Sequence, residues 1–280
     1  MGLNENLARE VLELHTLGVR GGYGQADVLE LARALTGWTV SGLAPPAHMR
    51  ALGRDSGLGG EPGRFVFVDG LHEPGPRTIL GRGYAGDGES QAAQVLEDLA
   101  AHPATARHVA TRLARHFTAS EPAPGLVSRL ERAFLDSAGH LPTVYRALVE
   151  APDPWSAPGR FRTPWDWTLA AWRGLGVRAP DGAAAARLLT QLGQPAWRPG
   201  SPAGFDDTDA AWIGPEALVR RVEAAELIAI RAGGVADAGG LAERLLPAGL
   251  SRGTAQALAR AESGSQALAL LLASPEFLRR

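Results

Sequence analysis

Two glutamates near the start of the sequence are spaced so that their side chains could work together. Glu10 and Glu13 are three residues apart in a stretch that reads as a helix, which places their carboxylates on one flank beside Asn6. Such a pair could ligate a divalent metal or supply the acid and base of a hydrolase. The structural alternative is a solvent-exposed face on which Arg9 pairs with Glu13 at i, i+4. Spacing alone favours this alternative, because glutamates are mostly exposed.

Histidine is the second residue type that could contribute chemistry. His15 shares the apolar helical face of Val11 and Leu14, so its expected role is that of an inward-facing histidine that donates to a backbone carbonyl. A role as ligand or base needs a second group from elsewhere in the chain. His72 with Glu73 is the best candidate, because the Pro-Gly-Pro sequence that follows would hold both in a rigid, exposed turn.

Arg112 and His116, one helical turn apart, are another candidate pair. Either pairing with His15 would give a mixed site for a hard or borderline metal, although neither has an established ligand spacing. A divalent metal is therefore an open alternative. The candidate catalytic residues are Glu10, Glu13, His15 and His72. The candidate binding residues are Asn6, Arg9, Trp38, Glu73, Arg112 and His116.

Tryptophan use suggests a carbohydrate ligand as a further alternative. The chain has seven tryptophans against three tyrosines, and four of them lie in or beside loops: Trp155, Trp165, Trp197 and Trp212. Such rings could stack on sugar rings. The favoured interpretation is that they pin long loops to a helical core, because each ring buries a large apolar area.

The amino-acid composition excludes several kinds of site and argues against several classes of protein. The chain has no cysteine and all of its basic residues are arginine, so disulfides, thiolate metal sites, cysteine nucleophiles and lysine Schiff bases are excluded. A formal net charge of -2 without a basic block argues against nucleic acid. No apolar run approaches the roughly 20 residues of a membrane span, and no signal peptide is evident. A soluble protein is predicted, cytoplasmic by default, with the periplasm as the alternative.

A helical hairpin is predicted to carry the first polar residues. Asn4 is a helix N-cap and Gly18 a stop signal. A second amphipathic helix, with Asp27 in its first turn, is closed by Gly37. Trp38 follows directly and is placed to cover the open end of the hairpin. The first helix, specified on both faces, is expected to be central in the fold and contacted on all sides.

The fold class predicted for the whole chain is all-α, a loop-rich multihelical array with at most a small β element near residues 64–80. Arg64 to Val68 is the alternating, strand-like run, whereas Glu89 to Ala101 and the stretch from Pro103 onward have helical periodicity. Residues 40–63 lack periodicity and are predicted to form a long loop. The hairpin, the turn around His72 and the helix of residues 104–118 are expected to meet at one polar cleft.

Two parts of the chain are predicted. Residues 1–151 form an N-terminal helical part that carries the main polar motif, and residues 152–280 form a C-terminal helical part packed on it as one unit. The boundary rests on residues 152–159, a cluster of proline, glycine and one tryptophan without helical period.

Several motifs together resemble one known family, the bacterial domain of unknown function family 1800. They are Asn4-Glu5-Asn6-x-Ala8-Arg9-Glu10-x-x-Glu13-Leu14-His15-Thr16-Leu17-Gly18-Val19, Gly22-Tyr23-x-Gln25-x-Asp27-Val28, Leu35-Thr36-Gly37-Trp38, His72-x-Pro74-Gly75-Pro76, Leu192-Gly193-Gln194-Pro195 and Ala273-Ser274-Pro275-Glu276-Phe277. The match covers nearly the whole chain. It departs from the family pattern at Glu73, where aspartate is expected, and at Gly24, where a hydroxyl cap is expected.

The resemblance implies a mainly helical protein that lacks the family's N-terminal part and acts with a sulfatase-like partner of exported type. It implies no established activity. The leading hypothesis is therefore a helical accessory or binding protein. The alternative is a metal-assisted hydrolase of a polysaccharide or sulfated sugar, with Glu10, Glu13, His15 and His72 at its site.

Overall fold

A computed structural model describes residues 3–42, 61–156, 159–233, 237–246 and 248–280. These residues are mostly helical with two small antiparallel sheets, which confirms the predicted fold class. Most of the loop predicted over residues 40–63 lies outside the described residues. None of the described helices combines the length and the apolar character needed to cross a membrane.

The helices are named in chain order, with a five-residue π-helical turn, Val11–His15, directly after the first. They are α1 (Glu5–Glu10), α2 (Gln25–Ala34), α3 (Glu89–Ala101), α4 (Pro103–Phe117), α5 (Pro124–Asp136), α6 (Leu141–Val149), α7 (Asp153–Ser156), α8 (Pro164–Gly174), α9 (Gly182–Gln191), α10 (Pro215–Arg231), α11 (Ala238–Leu245), α12 (Arg252–Ala259) and α13 (Gly264–Leu272). Short 3-10 helices occur at Asp69–Leu71 and Asp209–Ala211.

Each sheet is a pair of three-residue strands. The alternating run predicted as a strand contains β2 (Phe65–Phe67), and it pairs with β1 (Trp38–Val40) in the register Trp38 to Phe67. The second sheet is the hairpin of β3 (Arg77–Ile79) and β4 (Arg82–Tyr84). Strands β2 and β3 therefore lie within the predicted residues 64–80, whereas β4 lies just after them and β1 well before them.

Two units are distinguished by their internal contacts. The first comprises Met1–Leu113 with Ala123–Ala151, and the second comprises Ala114–Pro122 with Pro152–Arg280. A contact unit is not by itself an independently folding domain. The division into residues 1–151 and 152–280 as functional parts therefore stays a prediction.

The core of the first unit forms where the N-terminal hairpin packs on α3 and the second sheet. Ala8, Leu12, Val28 and Leu31 are fully buried there, and Val95 joins them from α3. Asn4 caps α1 as predicted, since its side chain accepts a hydrogen bond of 3.1 Å from the backbone N–H of Leu7. The hairpin is therefore held by a continuous apolar seam.

The π-helical turn changes which residues of the N-terminal stretch face inward. Its wider turn advances each residue by less than the 100° of an α-helix, so the pattern beyond Glu10 slips in phase. Leu12 is fully buried, whereas His15 is exposed and Leu7 is 47% exposed. The expectations that His15 faces the core and that this helix is contacted on all sides are therefore wrong.

The second unit has its own core around Trp167, whose ring N–H donates to the Leu272 carbonyl at 2.9 Å. Helix α10 packs its alanines against the leucines of α13. Arg221 lies in this core with 2% exposure, over the rings of Phe161 and Trp167. Burial lowers the pKa of Arg221 to about 10, because its charge has lost its hydration.

Candidate functional site

Glu13 belongs to a polar network that ties α1 to the start of α2. Its carboxylate accepts a 2.5 Å hydrogen bond from the Tyr23 hydroxyl and lies 3.7 Å from the Arg9 guanidinium. Arg9 also donates to Gln25 at 2.6 Å, and Gln25 donates to Glu5 at 2.9 Å. The i, i+4 pair considered from the sequence is therefore present, within a larger brace of the hairpin. Tyr23 and Gln25 belong to a motif that carries the family resemblance, but the sequence did not identify them as site residues.

Two tyrosines that bind carboxylates give a prediction for alkaline pH. Burial and the hydrogen bond to Glu13 raise the pKa of Tyr23 to about 12, and burial and the 2.7 Å bond to Asp98 raise the pKa of Tyr84 to about 12. The folded state thus keeps protons that the unfolded state loses near pH 10. The stability from these bonds is complete below pH 10 and is lost as pH rises towards 12.

We expect an ultraviolet titration to show two of the three tyrosines ionising near pH 12, with stability falling over the same range. Tyr23→Phe and Tyr84→Phe should each remove one late ionisation and flatten the fall. Ionisation of all three tyrosines near the ordinary value of 10 would contradict the prediction.

Among the described residues, no hydrogen bond or ion pair joins Glu10, His15 or Asn6 to the Glu13 carboxylate. The ring Nδ1 of His15 lies 2.9 Å from the carbonyl oxygen of Glu10, so this nitrogen donates to the backbone of the π-helical turn. The expected donation to a carbonyl is thus present, but at an exposed position. Asn6 is exposed as well.

His72 closes a second brace of the first unit. Its side chain is 3% exposed, with Nδ1 at 2.9 Å from the Thr36 carbonyl and Nε2 at 2.9 Å from the Asp87 carboxylate. Both partners are acceptors, so both hydrogen bonds form only when both ring nitrogens carry a proton. His72 thereby joins the end of α2 to the loop before α3. Asp87 is a partner that sequence reasoning missed.

Glu73 is fixed by residues at the end of α2 and just after it. Its backbone N–H donates to the Thr36 hydroxyl at 2.8 Å, and its carboxylate lies 3.2 Å from Arg33. Arg77, only 8% exposed, donates to the carbonyl of Pro74 at 3.1 Å. The rigid turn predicted from the Pro-Gly-Pro sequence is thus fixed by side chains as well as by prolines.

A cavity of about 470 Å³ lies between the start of α1 and these residues. Asn4 and Leu7 line it from α1, Trp38 from β1, and His72 and Glu73 from the turn. Trp38 also packs edge-on against Phe65, at 5.0 Å between ring centroids. Three of the motifs that carry the family resemblance therefore meet here. The hairpin and the His72 turn therefore meet as expected, but the prediction that the helix of residues 104–118 joins them is wrong, because α4 contributes no residue to the lining.

Helix α4 contacts the N-terminal stretch at another point. The Nε2 of His108 lies 3.2 Å from the Leu14 carbonyl, just before Gly18. Arg112 and His116 fall in different units, on either side of the change at Leu113. His116 lies 3.4 Å from the Arg280 guanidinium, and burial together with the charges of Arg280 and Arg160 lowers its pKa. The carboxylates of Asp166 and Asp207 act on the same pKa in the opposite direction.

No three His, Asp or Glu side chains of the described residues come together as a metal-binding group. Among the contacts of these residues, His72 is joined to neither Glu10, Glu13 nor His15. In the described part of the chain, His72 thus shares no hydrogen bond or ion pair with the stretch that carries Glu10, Glu13 and His15, and the assignment of all four as catalytic residues stays a prediction.

The second unit carries an aromatic surface around a cavity of about 230 Å³, formed by Trp165, Gln194, Trp197 and Phe205. Trp197 is 99% exposed and Trp165 is 49% exposed. The Gln194 side chain accepts a 2.8 Å hydrogen bond from the Trp165 backbone N–H, which fixes the loop to the first turn of α8. Phe205 packs on Trp212, at 6.4 Å between ring centroids.

The loop tryptophans fall into two groups. Trp212 is 7% exposed and its ring N–H donates to the Asp206 carbonyl at 3.0 Å, so it pins its loop as expected. Trp155 is 75% exposed, and Trp165 and Trp197 lie on the aromatic surface. For Trp155 and Trp197 the favoured expectation of loop pinning is wrong, because most of each residue faces water, whereas Trp165 is half buried.

These features define a mostly helical protein with a braced N-terminal hairpin and small β elements. The chain belongs to the family described as protein of unknown function (DUF1800), whose model matches residues 2–279. The resemblance seen in the sequence motifs is thereby confirmed. No curated protein and no solved structure matches the chain.

Proposed function

We propose that the protein is a helical accessory protein that binds a carbohydrate chain on its aromatic surface and performs no chemistry of its own. The observation that carries the proposal is the exposure of Trp197 beside Trp165 and Phe205 at one shallow cavity. Flat, apolar ring faces beside a polar amide suit a sugar ring, which has apolar C–H faces and hydroxyls at its edge. Exposed rings grouped in this way are typical of a binding surface.

The backbone of Trp197 supports the same conclusion. Its φ of 57° lies in the left-handed region, which costs roughly 1–2 kcal/mol for a residue with a side chain. Burial of the side chain does not offset this cost, because Trp197 is almost entirely in water. Strain that the fold does not need is often found at functional sites.

The loop that carries Trp197 is rigidly attached to the core of the second unit. Gln194 is bonded to α8 through its side chain, and its backbone N–H donates to the Leu189 carbonyl at 2.8 Å. Gly193, with a φ of 88°, provides the turn at the end of α9. The backbone that carries the Trp197 ring is thereby preorganised, which lowers the entropic cost of binding.

Affinity electrophoresis in gels that contain a β-glucan, a xylan or a sulfated galactan tests the proposal. We expect retardation of the full chain by at least one glycan. Loss of the Trp197 contact, on the order of 80 Å² of apolar surface, should weaken binding by about 2 kcal/mol, or roughly thirtyfold. Trp197→Asn is the best variant, because asparagine tolerates the left-handed region.

Stability separates a binding role from a structural one. Trp197→Asn should leave the free energy of unfolding unchanged or slightly higher, whereas a ring that pins the loop would lower it. Trp155→Ala, at an exposed tryptophan outside the cavity, is the matched control and should bind glycan normally. Equal retardation of Trp197→Asn and the unaltered chain would refute the proposal.

The proposed accessory role includes binding to a sulfatase-like partner protein, which is an expectation from the family resemblance. Purification of the chain with such a protein encoded beside it, with and without glycan, tests this part. Absence of association under both conditions would contradict the partner while leaving carbohydrate binding to be judged by the gels.

The geometry gives less support to a metal-assisted hydrolase with Glu10, Glu13, His15 and His72 at its site. Glu13 is engaged by Tyr23, and both ring nitrogens of His72 are engaged by Thr36 and Asp87. Elemental analysis of the purified chain, with assays for sugar release, is the corresponding test. Glycan cleavage lost in Glu13→Gln would favour the hydrolase over the accessory protein.

A further inference from the structure

An apolar groove in the second unit lies apart from the residues of the aromatic surface. It has a volume of about 490 Å³, within the roughly 300–1,000 Å³ that is usual for small-molecule sites. Its walls come from α8, α9 and α10, with Trp172, Leu188 and Ile228 among the apolar side chains.

The groove is a consequence of the sequence of α9. Ala184, Arg187, Leu188 and Gln191 recur at the i, i+3, i+4, i+7 spacing of one helical face, and all four line the groove. The small side chain of Ala184 leaves space where a larger residue would meet the facing helices. Opposite it, α10 presents Ile228 and the half-exposed Leu227.

The charged residues of the lining are all arginines. Arg187 and Arg231 are its ionisable groups, and no aspartate or glutamate lines it. Within the described part of the chain, neither guanidinium forms an ion pair or a hydrogen bond; both residues are exposed, as is Arg173 of α8, which also has no such partner. Two unpaired cations at an apolar groove leave a positive charge that a ligand can complement.

We infer that this groove binds a single-chain anionic amphiphile, a fatty carboxylate, with its alkyl chain along Trp172, Leu188 and Ile228 and its carboxylate at Arg187 and Arg231. The alkyl chain accounts for the apolar walls, and the carboxylate accounts for the two unpaired arginines. A neutral sugar would bury its hydroxyls against apolar walls, so this ligand differs in class from the carbohydrate of the aromatic surface.

Calorimetric titration of the full chain with dodecanoate, below its micelle concentration, tests the inference. Dodecan-1-ol is the matched uncharged probe. We expect dodecanoate to bind about tenfold more tightly than the alcohol, and Arg187→Gln with Arg231→Gln to abolish this preference while leaving alcohol binding intact. Arg173→Gln removes an exposed arginine of α8 outside the lining and should change neither affinity.

Two variants that fill the groove complete the test. Ala184→Phe should block both probes, and Gln191→Trp, at an exposed residue of the lining, does so without altering the packed interior if Ala184→Phe fails to fold. The inference is overturned if neither probe binds, if the alcohol binds as tightly as dodecanoate, or if the filled variants bind normally. Glycan retardation of the same variants should be unchanged, so this inference and the proposed function fail separately.

Discussion

Replacing Gly37 with alanine is expected to lower the free energy of unfolding by about 3 kcal/mol, as the sum of a left-handed backbone penalty and an overpacking penalty. Gly37 has a φ of 88°. A Cβ at this position would lie 2.7 Å from the Phe67 ring, 3.1 Å from the Val68 carbonyl and 3.2 Å from His72 Cβ. The change would force apart the end of α2, strand β2 and the His72 brace.

Gly22→Ala is the matched control for Gly37→Ala. Its φ of 85° is nearly the same, but no atom lies within 4 Å of a Cβ built there. It should therefore show the backbone penalty alone, about 1 kcal/mol after the reduced entropy of the unfolded chain is included. Chemical denaturation of both variants measures the difference. Equal losses would show that Gly37 is not closely packed against the His72 turn.

Leu12→Ala is expected to destabilise the protein by about 3 kcal/mol, because it removes a fully buried side chain from the core of the first unit and leaves a cavity. The residue lies inside the π-helical turn. Its burial depends on that turn as well as on the hydrophobic character of leucine. Denaturation with urea, with circular dichroism as the signal, gives the free energy directly.

Leu14→Ala is the control variant, because it makes the same leucine-to-alanine change at a different position of the same turn. Leu14 is only partly buried and does not belong to the buried cluster around Leu12, so its loss should cost about 1 kcal/mol or less. A continuous α-helix with the predicted apolar face would reverse the order, since Leu14 and not Leu12 lies on that face. Larger destabilisation by Leu14→Ala would therefore rule out the π-helical turn.

Local sequence signals predicted much of the helical framework. The cap at Asn4, the stop at Gly37 and helix Glu89–Ala101 are all present, because each depends on a few neighbouring residues. The strand near Phe65 was predicted by alternation alone. Its partner, β1, was not predicted, since a three-residue strand is defined by pairing and not by pattern.

The candidate site was harder to predict, because its contacts join distant parts of the chain. Asp27 was predicted in the first turn of α2, and it does accept from the Gly24 backbone N–H at 2.7 Å. Its other carboxylate oxygen accepts from the Leu80 backbone N–H, also at 2.7 Å, and no local sequence signal predicts that bond. The partnership of His72 with Asp87 is similar. The exposure of Trp197 depends on a backbone conformation that its residue type disfavours.

The path of the chain through the two units has a consequence for biosynthesis. Residues 114–122 are translated before the first unit is complete, yet their contacts are with residues translated much later. Arg115 lies 3.4 Å from Asp207, and the Ser120 hydroxyl accepts from the Asp209 backbone N–H at 2.8 Å. This segment can form these contacts only after helices α5 to α9 have been synthesised. If the gene were divided between the codons for residues 151 and 152, the fragment of residues 152–280 would lack residues 114–122 of its unit. The fragment of residues 1–151 would carry that segment without its partners.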